Sequence, residues 1–430
     1  MSRPLRIGVA GLGTVGVGLL KLLDAQADLL ERRCGRRLLV SAVSARRRER
    51  ARGIDISALA WCANPAELAA RADVDVVAEL IGGEAGPARA TVEAALARTK
   101  PVVTANKALL ARHGAALARA AEAAGVALAY EAAVAGGIPI VKALREGLAG
   151  NRFERVYGIL NGTCNYILTE MQQTGRPFAE VLAEAQRAGY AEADPAFDVD
   201  GIDAAHKLAI LASLAYGAET NYDAIHVEGI RKISAVDIAY ARELGFCIKL
   251  LAIVRRTADG IESRVHPAMV PLDTPIASVG GVFNAVVAEG DFVGRAVFEG
   301  RGAGEGPTAS AVAADLCDIA RGLRLPTFGV PADRLEAAPV SPMLKHFGPY
   351  YVRLNVLDRP GVIADISAIL RDLRISIGSL LQRGRSPDEA VPVVMVTHET
   401  EEKAMLAALD RIGRLTAVRE PPMMIRIERL

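Results

Sequence analysis

The feature that most constrains this chain is Gly11-Leu-Gly13-Thr-Val-Gly16, which follows the apolar run Leu5–Ala10 and opens a helix-like stretch, Val15–Asp24. Glycines at this spacing permit a tight turn, close approach of a pyrophosphate and close helix–strand packing. The helix start adds unpaired N–H groups and the positive end of a dipole, both suited to phosphate. The glycines alone are weak evidence; the strand before them and the helix after them make the motif a dinucleotide-binding turn. Strand-like runs continue at Leu38–Val43, Val74–Ile81, Val102–Thr104 and Val126–Tyr130, with a helix-like segment at Ala88–Ala97. This alternation predicts a Rossmann-type, doubly wound parallel sheet over residues 1–131. Gly11, Gly13, Thr14, Val15 and Gly16 are its expected cofactor contacts.

The second strand bears on the choice of cofactor. NAD sites usually place an acid at its end to bond the ribose 2′-hydroxyl. Here the chain reads Val43-Ser44-Ala45-Arg46-Arg47, with no acid. Arg46 and Arg47 are suited to a 2′-phosphate, which favours NADP over NAD. The alternative is a solvated basic loop that leaves either cofactor usable.

Beyond Glu131 the rhythm changes. Residues 132–307 hold longer helical patterns and β-branched segments such as Leu251–Arg255 and Ile261–Val265, which predict a central α+β domain for substrate and dimerisation. Residues 308–348 read as a returning helix, about Thr308 to Arg321, and a proline-bearing linker. Residues 349–430 restart a compact pattern: strands at Tyr350–Val356, Ile375–Gln382, Val391–Thr397 and Met423–Ile427, helices at Gly361–Leu373 and Glu401–Arg414. The order β-α-β-β-α-β suits a small ferredoxin-like domain.

Composition excludes several classes. Formal net charge is +1 with no long run of one sign, so no nucleic-acid footprint is present. No apolar run reaches the ~18 residues of a membrane span, and the N-terminus has no signal-peptide pattern. Cys34, Cys62, Cys164, Cys247 and Cys317 are scattered without ligand or disulfide spacing. These features predict a soluble cytoplasmic protein that binds neither nucleic acid nor membrane.

Further segments resemble homoserine dehydrogenase: Thr104-Ala-Asn-Lys107, Glu131-Ala-Ala-Val-Ala-Gly-Gly137-Ile-Pro-Ile140, Gly158-Ile-Leu-Asn-Gly-Thr163-Cys-Asn-Tyr166, Gly189-Tyr-Ala-Glu192-Ala-Asp-Pro195, Asp198-Val-Asp-Gly-Ile-Asp203-Ala-Ala-His-Lys207 and Gly300-Arg-Gly-Ala-Gly304. They occur in the family's order across about residues 5–320. The resemblance implies interconversion of L-aspartate 4-semialdehyde and L-homoserine, within threonine, methionine and isoleucine biosynthesis. It aligns Lys207 with the proton donor and acceptor, and Lys107 with a contact to substrate and cofactor. It places Glu192 and Asp203 at the substrate ammonium, and a monovalent cation, sodium-like, at Glu131, Val134, Gly136 and Ile138. Gly302 and Gly304 would let backbone approach the nicotinamide or substrate. A homodimer or homotetramer is implied as well.

The chemistry of these residues agrees with that alignment. Hydride delivery to an aldehyde develops an alkoxide, which a cationic donor can stabilise and protonate. Lysine suits the task because its surroundings shift its pKa readily. Asp203 precedes Lys207 by four residues, so a helix puts both on one face; without the resemblance that pattern reads first as a surface ion pair, and Lys107 as a helix start. Asp194 reads as a turn initiator before Pro195, Asp200 as solvated, and the six histidines as structural or surface residues.

The tail segment Val352-Arg-Leu-Asn355-Val-Leu-Asp358-Arg-Pro-Gly361-Val-Ile-Ala-Asp365 resembles the opening of an ACT domain. That resemblance implies an amino-acid effector near Asn355, Asp358 and Gly361, with threonine, a downstream product, as the expected inhibitor. A plain dimerisation module is the alternative. A catalytically silent dinucleotide- and amino-acid-sensing protein and a dehydrogenase acting on another amino acid compete as functions; intact Lys107, Glu192, Asp203 and Lys207 disfavour the first, and the Lys207 segment and the acidic loop the second. With the glycine fingerprint starting at Gly11, no fused aspartokinase is expected ahead of it.

Overall fold

Six short parallel strands build the N-terminal sheet in the order Ala60–Cys62, Leu38–Ser44, Leu5–Ala10, Val76–Glu79, Val102–Thr104, Leu128–Ala129. This is a computed structural model, and it describes residues 3–383 and 389–430. Strand order reverses between Leu5–Ala10 and Val76–Glu79, which opens a ligand crevice at the carboxyl ends of the strands. Ile7, Val9, Val76, Val77, Val102 and Val103 are fully buried, as continuous apolar strands must be when helices cover both faces. The helices include Thr14–Ala25, Pro87–Leu96 and Lys107–Ala123. A further helix, Glu305–Ala320, comes from far along the chain. Its Ala309, Val312 and Leu316 join the core formed by Leu5, Ile7 and Val9. It lies so close to helix Thr14–Ala25 that a Cβ on Gly18 would sit 2.5 Å from Glu305 Cγ. It begins three residues before the expected Thr308, because Gly304, at φ +125°, turns the chain into it. Strand Ala60–Cys62 and helix Ala27–Cys34 were not among the sequence expectations.

The central domain is an antiparallel sheet ordered Gly294–Arg301, Phe283–Gly290, Phe153–Ile159, Phe246–Thr257, Gly260–Pro271. Helices Gly162–Thr174, Ile202–Tyr216 and Ala235–Glu243 pack against it, with Cys164, Ile167, Leu208, Leu211 and Ile238 in a core shared with Val156, Leu250 and Val254. The C-terminal domain has the expected β-α-β-β-α-β order. Its sheet is not separate. Strand Met423–Ile427 pairs antiparallel with Tyr350–Leu357 and parallel with Gly260–Pro271, Arg426 lying opposite Ala268. The two sheets thereby become one of ten strands.

Candidate active site

Two elements from different domains converge on one carboxylate. Helix Ile202–Tyr216 starts after Gly201, whose left-handed conformation (φ +84°) lets the chain turn sharply inward. One turn separates Asp203 from Lys207, and both side chains are buried. Lys207 Nζ donates to Asp203 Oδ2 at 2.7 Å and to the Leu160 carbonyl at 2.6 Å. From the dinucleotide-binding domain, Lys107 reaches Asp203 Oδ1 at 2.7 Å while keeping 33% of its side chain exposed. Asn161 completes the group: its Oδ1 caps helix Gly162–Thr174 at the Cys164 N–H, and its Nδ2 donates to Asp198 Oδ1 (2.7 Å) and Asp203 Oδ2 (2.9 Å).

The charges shift one another. Burial pushes the Lys207 ammonium down, with Lys107 adding to the fall and Asp203 opposing it. Burial also works against the Lys107 charge, but Asp203 and Asp198 outweigh it, so Lys107 stands above ordinary lysine. Burial alone would raise Asp203; the two ammonium groups hold it well below the usual carboxylate range. Asp198 moves the other way, raised mainly by burial. The site thus holds a firmly ionised aspartate between a strongly basic and a weakened lysine.

Lys107 is held by a chain of buried polar contacts at the end of the parallel sheet. Asn106 caps helix Lys107–Ala123 at the Leu109 N–H and donates to the Gly83 carbonyl at 2.7 Å. Thr104 Oγ1 accepts from the Asn106 N–H and donates to Glu79 Oε2 at 2.7 Å. Glu79 Oε1 accepts from the N–H groups of Ile81 and Gly82. The loop lining the nucleotide crevice and the lysine therefore share one scaffold.

The crevice itself holds about 790 Å³ and is lined by Gly11, Gly13, Leu80, Ile81 and Gly82 on one side and by Arg46, Arg47, Arg50 and Arg52 on another. Gly11, at φ +105°, has no room for a side chain, whose Cβ would lie 2.5 Å from the Leu80 carbonyl oxygen. A Cβ on Gly16 would overlap the Gly11 oxygen, whereas one on Gly13 would meet nothing within 4 Å. The outer glycines thus serve packing, and Gly13 faces open space where a phosphate can approach. Thr14 and Val15 form the first turn of the helix, which has no side-chain cap. Arg52 ties the basic loop together by donating to the carbonyls of Arg47, Arg48 and Arg50.

Other expected residues are placed differently. Glu192 is exposed, and among the described residues only its main-chain oxygen is engaged, by Gln186. Gly304 faces little, but Gly302 packs on Asn284, whose carboxamide occupies the space of a Gly302 side chain. Asp194 accepts from the Ala196 N–H as a turn initiator, and Asp200 pairs with Arg231. His206 stacks between Phe197 and Tyr222. Glu131 is buried and accepts from the N–H groups of Val141 (2.9 Å) and Lys142 (2.8 Å); burial, reinforced by Asp315, raises it to about 7. Asn161 and Asp198 were missed as site residues. The signal for Asn161 was present as an Asn-Gly-Thr helix start, but its second role depends on a helix forty residues away. Among the described residues no cluster of three or more His, Cys, Asp or Glu could hold a metal, and no helix is long and apolar enough to cross a membrane.

A doubly wound nucleotide domain, a lysine–aspartate–lysine group tied to the end of its sheet through Lys107, and an appended ferredoxin-like domain define a nicotinamide-nucleotide-dependent oxidoreductase. The family models agree: homoserine dehydrogenase NAD-binding domain over residues 11–131, homoserine dehydrogenase over 139–317 and ACT domain over 350–414. The chain is 46% identical to homoserine dehydrogenase of Neisseria gonorrhoeae over 434 aligned residues, covering 100% of this chain and 99% of that one. It is 45% identical to the Pseudomonas aeruginosa enzyme, with full coverage of both. A crystal structure of homoserine dehydrogenase from Thiobacillus denitrificans superposes with a TM-score of 0.93 at 47% identity, covering 99% of this chain and 98% of that one. A hyperthermophilic archaeal homoserine dehydrogenase in complex with NADPH superposes at 0.64 and 25% identity, covering 75% of this chain and 99% of that one. The chain belongs to the homoserine dehydrogenase family.

Proposed function

We propose that this enzyme interconverts L-aspartate 4-semialdehyde and L-homoserine with NADP as its preferred cofactor, and that the convergence of Lys207 and Lys107 on Asp203 is its reaction centre. NADPH supplies the hydride when bound. The chain supplies the rest. Lys207, buried and weakened as a base, donates a proton to the developing alkoxide in reduction and recovers it in oxidation. Lys107, firmly charged, stabilises that alkoxide and binds the polar end of the substrate. Asp203 keeps both lysines in place, and its remaining acceptor capacity, with Glu192 from the exposed loop, receives the substrate ammonium. Arg46 and Arg47 on the crevice wall support NADP, because a 2′-phosphate there meets guanidinium groups and no carboxylate.

The segment Glu131–Ile140 fits a sodium-like cation. Val134 and Gly136 are buried, and among the described residues no hydrogen bond reaches either carbonyl. Buried unpaired carbonyls are rare, and a hard cation is satisfied by such oxygens. Ala135 and Gly136 both have positive φ (+53° and +48°), which bends the segment sharply; Glu131 and Ile138 flank the bend. The C-terminal domain is read as a threonine sensor. Asn355 donates to Glu420, Asp358 accepts from Gln382, and Gly361 (φ +95°) opens helix Val362–Asp372 with clear space beside it. Exposed Phe292 and Val293, beside the edge strand Gly294–Arg301, suit contact between subunits of a homodimer or homotetramer.

The deciding assay follows NADPH and NADH oxidation with aspartate semialdehyde in wild type and in Lys207→Ala. Turnover by wild type, faster with NADPH, and a loss of about 10²–10⁴ in kcat for a folded mutant are expected. Full activity in the mutant would remove Lys207 from its role, and absence of turnover with either cofactor would refute the substrate.

A further inference from the structure

We infer that the segment Glu228–Arg231 is a strap through which the C-terminal domain positions the substrate site, with Arg426, Glu228 and Arg231 as positioning residues. The reading rests on the dehydrogenase reaction and on no effector.

One end of the strap is gripped by the C-terminal domain. Arg426 lies on that domain's last strand and is only 2% exposed. Its guanidinium donates to both Glu228 oxygens, at 3.0 and 2.8 Å, and also pairs with Glu402 at the start of helix Glu402–Gly413. A bidentate guanidinium–carboxylate pair fixes orientation as well as distance. The Glu228 N–H donates to the Val265 carbonyl at 2.7 Å, so the strap's start is also pinned to the central sheet.

The other end holds the chain that leads into the catalytic helix. The Ile230 N–H donates to the Val199 carbonyl at 2.8 Å. Gly229 packs backbone to backbone there; a Cβ would lie 2.3 Å from the Val199 oxygen and 2.5 Å from the Asp200 Cα. Arg231 clamps the Asp200 carboxylate through Nε (2.5 Å) and Nη2 (3.1 Å). Gly201 follows, then Asp203 in the first turn of the helix and Lys207 one turn further on. On the near side, Asp198 accepts from Asn161, which also bonds Asp203. A shift of the strap therefore moves the start of the helix on which both buried site charges ride, while the nucleotide crevice, built on the other sheet, stays in place.

That separation gives the test. Kinetic constants for the amino-acid substrate and for the cofactor are measured in wild type, Arg231→Ala and Arg426→Lys, together with thermal midpoints. Arg231 is 45% exposed, so its truncation leaves the fold intact. The expected result is a rise of about 2- to 30-fold in KM for aspartate semialdehyde in both variants, with cofactor KM unchanged. For Arg231→Ala the thermal midpoint should also hold. Wild-type turnover in the same assay checks the dehydrogenase reading separately. An unchanged substrate KM in folded Arg231→Ala overturns the inference, as does a parallel rise of both KM values with loss of thermal stability. If Arg426→Lys does not fold, Arg231→Ala alone decides the question.

Discussion

Among the described residues, Asp203 is the one that pairs with both lysines, which places it at the middle of the proposed reaction centre. Its charge raises the pKa of Lys207 and of Lys107 against the burial that lowers them. Removing that charge should therefore let both lysines lose their protons at lower pH. In Asp203→Asn, the alkaline limb of the kcat/KM profile for aldehyde reduction should move toward acid. Loss of positioning should cost about 10²-fold in kcat, the order found when a reacting group is displaced by about 1 Å. A profile that keeps its alkaline limb would show that Asp203 does not control the proton donor. The basic crevice wall carries a second residue-scale consequence. Arg46→Ala and Arg47→Ala should raise KM for NADPH about tenfold or more, the worth of a lost charge-assisted hydrogen bond, and leave KM for NADH nearly unchanged. Equal effects on both cofactors would return these arginines to the role of a solvated loop.

At the scale of elements, the bend between Glu131 and Ile140 joins an electrostatic cost to a binding site. Glu131 is raised to about 7 and Asp315 to about 6, each first by burial. Both folded pKa values stand above ordinary carboxylates, so stabilisation from the protonated pair is complete below the unfolded values of 3.8 and 4.5 and is lost as pH rises through about 6 and then about 7. A cation at the bend favours the ionised form and should offset that loss. At pH 8 the thermal midpoint should be higher in sodium chloride than in choline chloride of equal ionic strength, by about 2–4 °C per kcal/mol of binding. At pH 5 the gap should narrow. No sodium-specific difference at pH 8 would argue against the site. Elements of this length were largely legible in the sequence. Leu5–Ala10, Val102–Thr104 and Met423–Ile427 match their expected bounds, because an apolar run or strict alternation has few alternative readings. Ala60–Cys62 escaped because Ala-Trp-Cys holds no β-branched residue, unlike Val102-Val-Thr104, and Ala27–Cys34 because it buries only Leu30 and Cys34, too few apolar positions to set a helical period. Lys207 and Asp203 could be paired by helical spacing alone, whereas Asp198 and Asn161 could not, since a hydrogen bond between distant elements leaves no local pattern.

At the scale of the molecule, the sequence suggested a tail linked through prolines to an independent body, and the pairing of Met423–Ile427 with Gly260–Pro271 replaces that picture with one continuous sheet. Nothing in a strand's own pattern names its second neighbour, so this joint was not legible. Its consequence is energetic. Arg264 is 1% exposed and donates to both Glu428 oxygens, at 2.8 and 2.9 Å, as well as to Glu262. Buried His266 lies beside them, lowered to about 3, chiefly by burial and then by Arg426. Deleting residues 421–430 removes Arg426 and Glu428 together, strips one edge of Gly260–Pro271 and leaves Arg264 and Glu402 short of a buried partner. Breaking buried pairs in this way costs about 3–5 kcal/mol each, a large share of the 5–15 kcal/mol that holds a typical domain. The truncated chain should therefore lose stability in the catalytic domain as well as in the tail, and calorimetry of the intact protein should show the central and C-terminal domains unfolding in one transition. A truncated protein with wild-type thermal midpoint and turnover, or an early separate transition of the tail, would show instead that the shared sheet joins two bodies without coupling them.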